Sequence, residues 1–166
     1  MSKPSFHEKR AHSSVKSPFV SRLLTLGAIF ARPMTLGVRG LVIDDDNRVL
    51  LVRHTYVGGY YLPGGGVERG ETFEQALVRE LAEEGNIVLQ TSPALHGLYL
   101  NHRVSQRDHV ALYVVRDFRQ SASHVPDHEI AEANFFALDA LPPETTRATR
   151  ARLDEVLNGA AVSPYW

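Results

Sequence analysis

At 166 residues, with 43% hydrophobic and 22% charged side chains, the chain is long enough for one domain with its own core and has an ordinary globular make-up. It holds no cysteine, which excludes a disulfide framework, a thiolate metal site and a cysteine nucleophile. A net charge of −1 argues neither for nor against a polyanionic partner.

The charge is uneven along the chain. Residues 1–40 carry Lys3, Lys9, Arg10, Lys16, Arg22, Arg32 and Arg39 against Glu8, a net +6, which leaves −7 for the rest. Residues 1–17 are polar and read as a loosely held extension. Phe19, Leu23, Leu26 and Phe30 then recur at helical spacing, so residues 18–31 read as a short amphipathic helix. Its apolar run, Leu23 to Ala31, is far shorter than the roughly 20 residues of a bilayer span. No Ala-x-Ala cleavage pattern follows it. Packing on the domain is therefore favoured over membrane contact, and a cytoplasmic location is expected. Arg32-Pro33 ends the helix, because proline disfavours helical geometry in the residue before it. This divides the chain into a basic extension, 1–33, and a domain, 34–166.

In the domain, Thr35 to Ile43 reads as a strand, Asp44-Asp45-Asp46-Asn47 as a turn and Val49 to His54 as the returning strand of a hairpin. Five glycines between Val57 and Gly66 mark a loop where backbone approaches something closely. The spacing predicts a helix from about Phe73 to Glu84. Thr72 and Gln75 would form a capping box, and Gly85-Asn86 would end the helix in left-handed geometry. Strands are expected at 87–90, 94–101, 109–118 and 132–137. A final helix is expected to open at Pro142-Pro143 and run to about Leu157. Mixed strands around one central helix, closed by a second, define an α+β fold, an α/β/α sandwich with a mixed sheet.

The chemistry lies between Gly65 and Ile87. With Phe73 at zero and about 100° per residue, Leu77 falls near 40° and Leu81 near 80°. On the same scale Glu80 and Glu84 fall near 340° and about 20°, and Glu83 near 280°. A solvated acidic face would lie opposite the apolar stripe, but these acids run along it. Arg79 can reach Glu83 one turn on, yet one arginine cannot offset three carboxylates. Divalent cations can, since Mg²⁺ favours oxygen ligands and shares them with substrate phosphate. The glycine loop leads into the N-terminus of the helix, where amide groups favour anions. Two other patterns fall away. Arg48 and Val49 stand where a calcium loop starting at Asp44 needs a ligand and a glycine. The eight histidines show no zinc spacing.

The stretch resembles the Nudix box, G-x5-E-x7-R-E-U-x-E-E-x-G-U with U a bulky aliphatic, through Gly65, Glu71, Arg79, Glu80, Leu81, Glu83, Glu84 and Ile87. Asn86 replaces the late box glycine. The resemblance implies a Nudix fold over roughly 34–158 and hydrolysis of a phosphoanhydride bond. The substrate would be a nucleoside diphosphate linked to another moiety, with Mg²⁺ as cofactor and Mn²⁺ as substitute. It implies Glu80, Glu83 and Glu84 as metal ligands, completed by the carbonyl of Gly64 or Gly65. Glu80 is a ligand, a base, or both in turn. Arg79 orients a glutamate and Glu71 serves structure. Glu129 is either a further acid of the site or an ordinary loop acid. Arg53, Tyr56, Tyr60, Tyr61, Tyr99 and His102 are candidates for holding the leaving group, Tyr99 with a plain core role as its rival. The expected partner is a small nucleotide derivative rather than nucleic acid, and a homodimer is left open. A nucleoside triphosphate pyrophosphohydrolase is the near alternative. A nucleotide-binding sensor without catalysis is the distant one, since every box acid is present.

Overall fold

The computed structural model describes residues 34–166. The expected helix at 18–31 lies outside the described residues. Seven strands, two α-helices and one 3-10 turn make up the rest: β1 (Thr35–Val42), β2 (Val49–His54), α1 (Phe73–Gly85), β3 (Ile87–Leu89), β4 (Ala94–Leu100), β5 (Asp108–Val115), β6 (Phe118–Gln120), β7 (Ile130–Phe136), the 3-10 turn Leu138–Ala140 and α2 (Arg147–Leu157).

Strand β2 is a nearly continuous apolar run, buried on both faces, and β1 is buried toward its C-terminal end, Gly40 to Val42. Val38 and Val42 of β1, with Leu50 and Val52 of β2, pack with Leu77 and Leu81 of α1. Their neighbours Leu41, Ile43, Val49 and Leu51 pack on the other side with Leu112 and with Leu153 of α2. Alternation along each strand thus feeds two cores, and the sheets lie between α1 and α2. Gly40 lets α1 come close: a Cβ there would sit 3.1 Å from methyl groups of both Leu77 and Leu81. Among the described residues, no helix is long and apolar enough to cross a membrane.

The expected hairpin is not formed. Asp44 does make the turn, its Oδ1 accepting the amides of Asp46 and Arg48. The strands then part after a single bridge between Ile43 and Val49. β1 runs parallel to β5, which pairs antiparallel with β4, while β2 pairs antiparallel with β7. Each strand instead pairs with one from far along the chain, which the local turn at Asp44 does not specify. The expected strand 109–118 breaks at Arg116-Asp117, after which β6 pairs with β3.

Helix α1 begins and ends as its sequence dictates. Thr72 and Gln75 exchange both capping-box bonds, and Asn86 adopts φ 55°, ψ 33° as C-cap. The last helix starts later than the prolines indicated. Thr146, not Pro142, is the N-cap of α2 and accepts the Thr149 amide. The backbone before it is used otherwise: the Thr146 amide donates to the Tyr60 carbonyl, and Thr145 folds back on Pro142.

Candidate active site

The acids of α1 fall into three environments set by their place on the helix. Glu84, on the buried stripe, has a side chain only 6% exposed. Glu80 beside it is 13% exposed and Glu83, a turn away, 61%. The angular reading therefore holds for Glu84 and Glu80, whereas Glu83 sits at the rim. Burial pushes the Glu84 carboxyl up to about 7, against the counter-effects of the Gly64 amide and nearby Arg39. Burial also raises Glu80, and Arg79 offsets part of that rise.

Arg79 is the hub of this face. Its Nε and Nη2 donate to Glu71 at 2.9 and 3.1 Å, its Nη1 to Glu80 at 2.8 Å and Glu83 at 3.4 Å, and its Nη2 also to the Gly66 carbonyl. The bond from Arg79 holds Glu71 below the usual carboxylate range. Glu71 also accepts the Glu68 amide at 2.9 Å, so it pins both the loop before α1 and the hub.

The glycine loop meets the acids through its backbone. The Gly64 amide donates to Glu84 Oε2 at 2.7 Å. Gly64 has φ 134°, and a Cβ there would run into the Val38 carbonyl, so this position excludes a side chain. At Gly65 a Cβ would strike the Glu80 carboxylate, which lies directly over the α-carbon. The Gly64 carbonyl accepts Arg39 Nη1, and the Gly65 carbonyl accepts the Val38 amide at 2.9 Å. Each expected metal-facing carbonyl thus already has a protein donor on one side.

Glu80, Glu83, Glu84 and Glu129 line one cavity of about 280 Å³, with Asp127, His128 and Ile130. Asp127 Oδ1 accepts the amides of Glu129 and Ile130, and the Thr55 amide holds the Glu129 carbonyl. These bonds tie the acid-bearing loop to the end of β2. Among the described residues no three His, Asp or Glu side chains converge tightly enough to share one ion in this arrangement. The donor set nevertheless suits a hard divalent cation: it is dominated by carboxylate oxygen, and Glu84, the most buried of the acids, has no Arg or Lys partner among the described residues.

Of the candidates for the leaving group, Tyr56 stands near the acids, while Arg53, Tyr60 and Tyr61 already have protein partners. The Tyr60 hydroxyl donates to Glu132 at 2.6 Å, and Arg53 reaches the same carboxylate at 3.5 Å. The Tyr61 hydroxyl donates to the Gly58 carbonyl. Tyr56 is 70% exposed beside His54. His102 stands against Tyr165 in a separate depression near α2, apart from the acids. Tyr99 is fully buried and donates to Glu155, the plain core role.

Two residues not singled out from the sequence belong to the site. His54, 8% exposed, lies with Nε2 3.9 Å from Glu84, and its pKa is lowered by burial and then by Arg39. Arg39 holds the Leu62 and Gly64 carbonyls. The available signal was a charged or titratable residue inside an otherwise apolar strand.

Against known proteins, the family model described as the NUDIX domain matches residues 33–157. The ADP-ribose pyrophosphatase of Methanocaldococcus jannaschii is 35% identical over 105 residues, spanning 61% of this chain and 61% of that protein's length. A MutT-like protein of Streptomyces ambofaciens is 30% identical over 126 residues, spanning 76% of this chain and 79% of that protein. Among solved structures, the MutT NUDIX hydrolase from Burkholderia pseudomallei superimposes with a TM-score of 0.64 at 28% identity, covering 74% of this chain and 97% of its own.

Proposed function

Because the chain belongs to the NUDIX family, we propose that it hydrolyses a phosphoanhydride bond in a nucleoside diphosphate joined to a second moiety. The observation that carries this reading is the buried Glu84 carboxylate, set beside Glu80 in a cavity that Glu83 and Glu129 complete. A relative named for pyrophosphatase action on ADP-ribose supports the choice of a linked diphosphate.

In this reading Glu80, Glu83 and Glu84 would hold the cation, with the carbonyl of Gly64 or Gly65 completing the set. A bound Mg²⁺ or Mn²⁺ would neutralise phosphate charge and lower the pKa of water. Arg79 keeps Glu80 and Glu83 in place through its fixed fork to Glu71. A wall carboxylate takes the proton of the attacking water, whose oxygen bonds to phosphorus as the bridging P–O bond breaks. The bridging oxygen leaves on the other fragment. The products are a nucleoside monophosphate and a second phosphorylated fragment.

The test is a phosphatase-coupled screen of ADP-ribose, nucleotide sugars, dinucleotides and nucleoside triphosphates with Mg²⁺ or Mn²⁺. Glu83→Gln, at the exposed rim, should leave folding intact and cut turnover by about a hundredfold or more. Equal rates in parent and variant would remove these acids from the reaction. Preference for triphosphates would move the assignment to a triphosphate pyrophosphohydrolase. Nucleotide binding with no turnover would make the chain a sensor.

A further inference from the structure

The arginines of the domain differ in how fully they are committed. Arg79 is held by Glu71, Glu80 and Glu83. Arg53 is paired with Glu132, and Arg152 is buried against Glu155. Arg39, on β1, makes no ion pair among the described residues. Its Nη1 alone is used, on two carbonyls, which leaves Nε and Nη2 without a protein acceptor there. A guanidinium has five N–H donors in a planar fork that matches phosphate oxygens.

Arg39 also borders a cavity of about 840 Å³, within the size range of small-molecule sites. Gly65, Gly66 and Glu71 form the wall nearest the acids, and Asn101 and Trp166 line it as well. The Glu80 carboxylate lies directly over Gly65, so this cavity and the acid patch adjoin across one glycine. Trp166 is held edge-on to Tyr99 and tied by its amide to the Leu100 carbonyl, which makes it a fixed aromatic surface. None of Arg53, Tyr56, Tyr60, Tyr61 or His102 lines this cavity.

Building on the hydrolase reading above, we infer that Arg39 grips a substrate phosphate and that the cavity it lines receives the nucleoside attached to that phosphate. Arg39 lines the cavity and holds the carbonyl of Gly64, whose amide donates to Glu84, so its spare donors would be available to an anion that spans the two. Arg152 covers one face of the Trp166 ring, 5.4 Å from its centroid, so the base would stack on the face that Arg152 leaves.

The sequence has one tryptophan, so its emission reports on this cavity directly. The full chain is titrated with ADP, GDP, UDP and CDP in Mg²⁺ while Trp166 fluorescence is followed. At least one nucleotide should change the emission saturably. Arg39→Met should weaken that binding by about 10- to 100-fold, the loss expected for a charge-assisted hydrogen bond, and Arg39→Lys by less. Gly66→Val is the second variant. A Cβ at Gly66 meets open space and the residue has no positive φ, so a side chain there narrows the cavity without disturbing Arg39. It should keep the parent melting temperature and lose nucleotide binding. Hydrolysis of the best screened substrate is measured on the same variants, and both should raise KM more than they lower kcat. Parent-like binding in Arg39→Met or Gly66→Val, or binding without change in Trp166 emission, overturns the inference. If the parent turns over and Glu83→Gln does not while both cavity variants keep the parent KM, the cavity assignment fails and the reading of the acids stands. If the parent neither binds nor hydrolyses any nucleotide, both fail.

Discussion

Replacing Glu84 by glutamine should stabilise the metal-free protein at neutral pH while destroying its response to metal. Glu84 is 5% exposed, and burial raises its carboxyl from an ordinary 4.5 to about 7. A group whose pKa is higher in the folded chain binds more protons there than when unfolded. The folded state is therefore most favoured below pH 4.5, and that advantage drains away as pH rises to about 7. At about 1.4 kcal/mol for each tenfold change in proton affinity, the loss above pH 7 is about 3 kcal/mol. The amide side chain introduced by Glu84→Gln would carry no charge, and its oxygen could still accept the Gly64 amide that now donates at 2.7 Å. Urea unfolding in EDTA from pH 4.5 to 8 should show parent and variant converging at the acid end. The variant should be up to about 3 kcal/mol more stable at the other. Taking the difference cancels the titration of groups remote from Glu84; His54, 3.9 Å away, is not among them. Adding Mg²⁺ should stabilise the parent by mass action and leave the variant unmoved. A variant less stable than the parent at pH 8 without metal, or a gap that does not change with pH, would refute the account of Glu84 as an uncompensated buried charge.

Gly64→Ala should be among the most damaging single changes, because the new methyl would meet the Val38 carbonyl at a backbone angle that favours glycine. A loss above about 3 kcal/mol, read from the urea midpoint, is expected. Thr72→Ala removes half of the capping box and should cost about 1 kcal/mol, measured in the same way. Glu155→Ala leaves Arg152, 2% exposed, without its carboxylate. Breaking a buried pair from one side should cost about 3–5 kcal/mol and lower the melting temperature accordingly.

Helix α1 and its acids are legible in the sequence because their causes are local. Thr72, Gln75 and Asn86 act within a turn of the helix ends, and a fixed rotation per residue places Glu84 on the buried stripe. Asn86 fills the place of the missing box glycine because asparagine tolerates the left-handed angles found there. The hairpin reading fails because Asp44 specifies a turn but not the partners of the strands leaving it. Those partners, β5 and β7, lie far along the chain. The prolines at 142 and 143 signal a helix start, yet Thr146 offers the capping oxygen that they lack. Tyr60 and Tyr61 show what residue type leaves out: it announces a hydroxyl, not whether Glu132 or Gly58 already holds it. Arg39 and His54 stand out only as polar residues in apolar strands, a signal with no marked spacing to tie them to the acids.

The parting of β1 and β2 after Asp44 also governs how quickly the chain reaches its final shape. Thr35 must find Asp108, 73 residues on, and Val49 must find Phe136. Closing such long loops is entropically slow, which puts this chain among domains that mature in milliseconds to seconds rather than microseconds. Until both partners arrive, two oily strand edges stand open beside each other, and crowding at that stage favours clumping over completion.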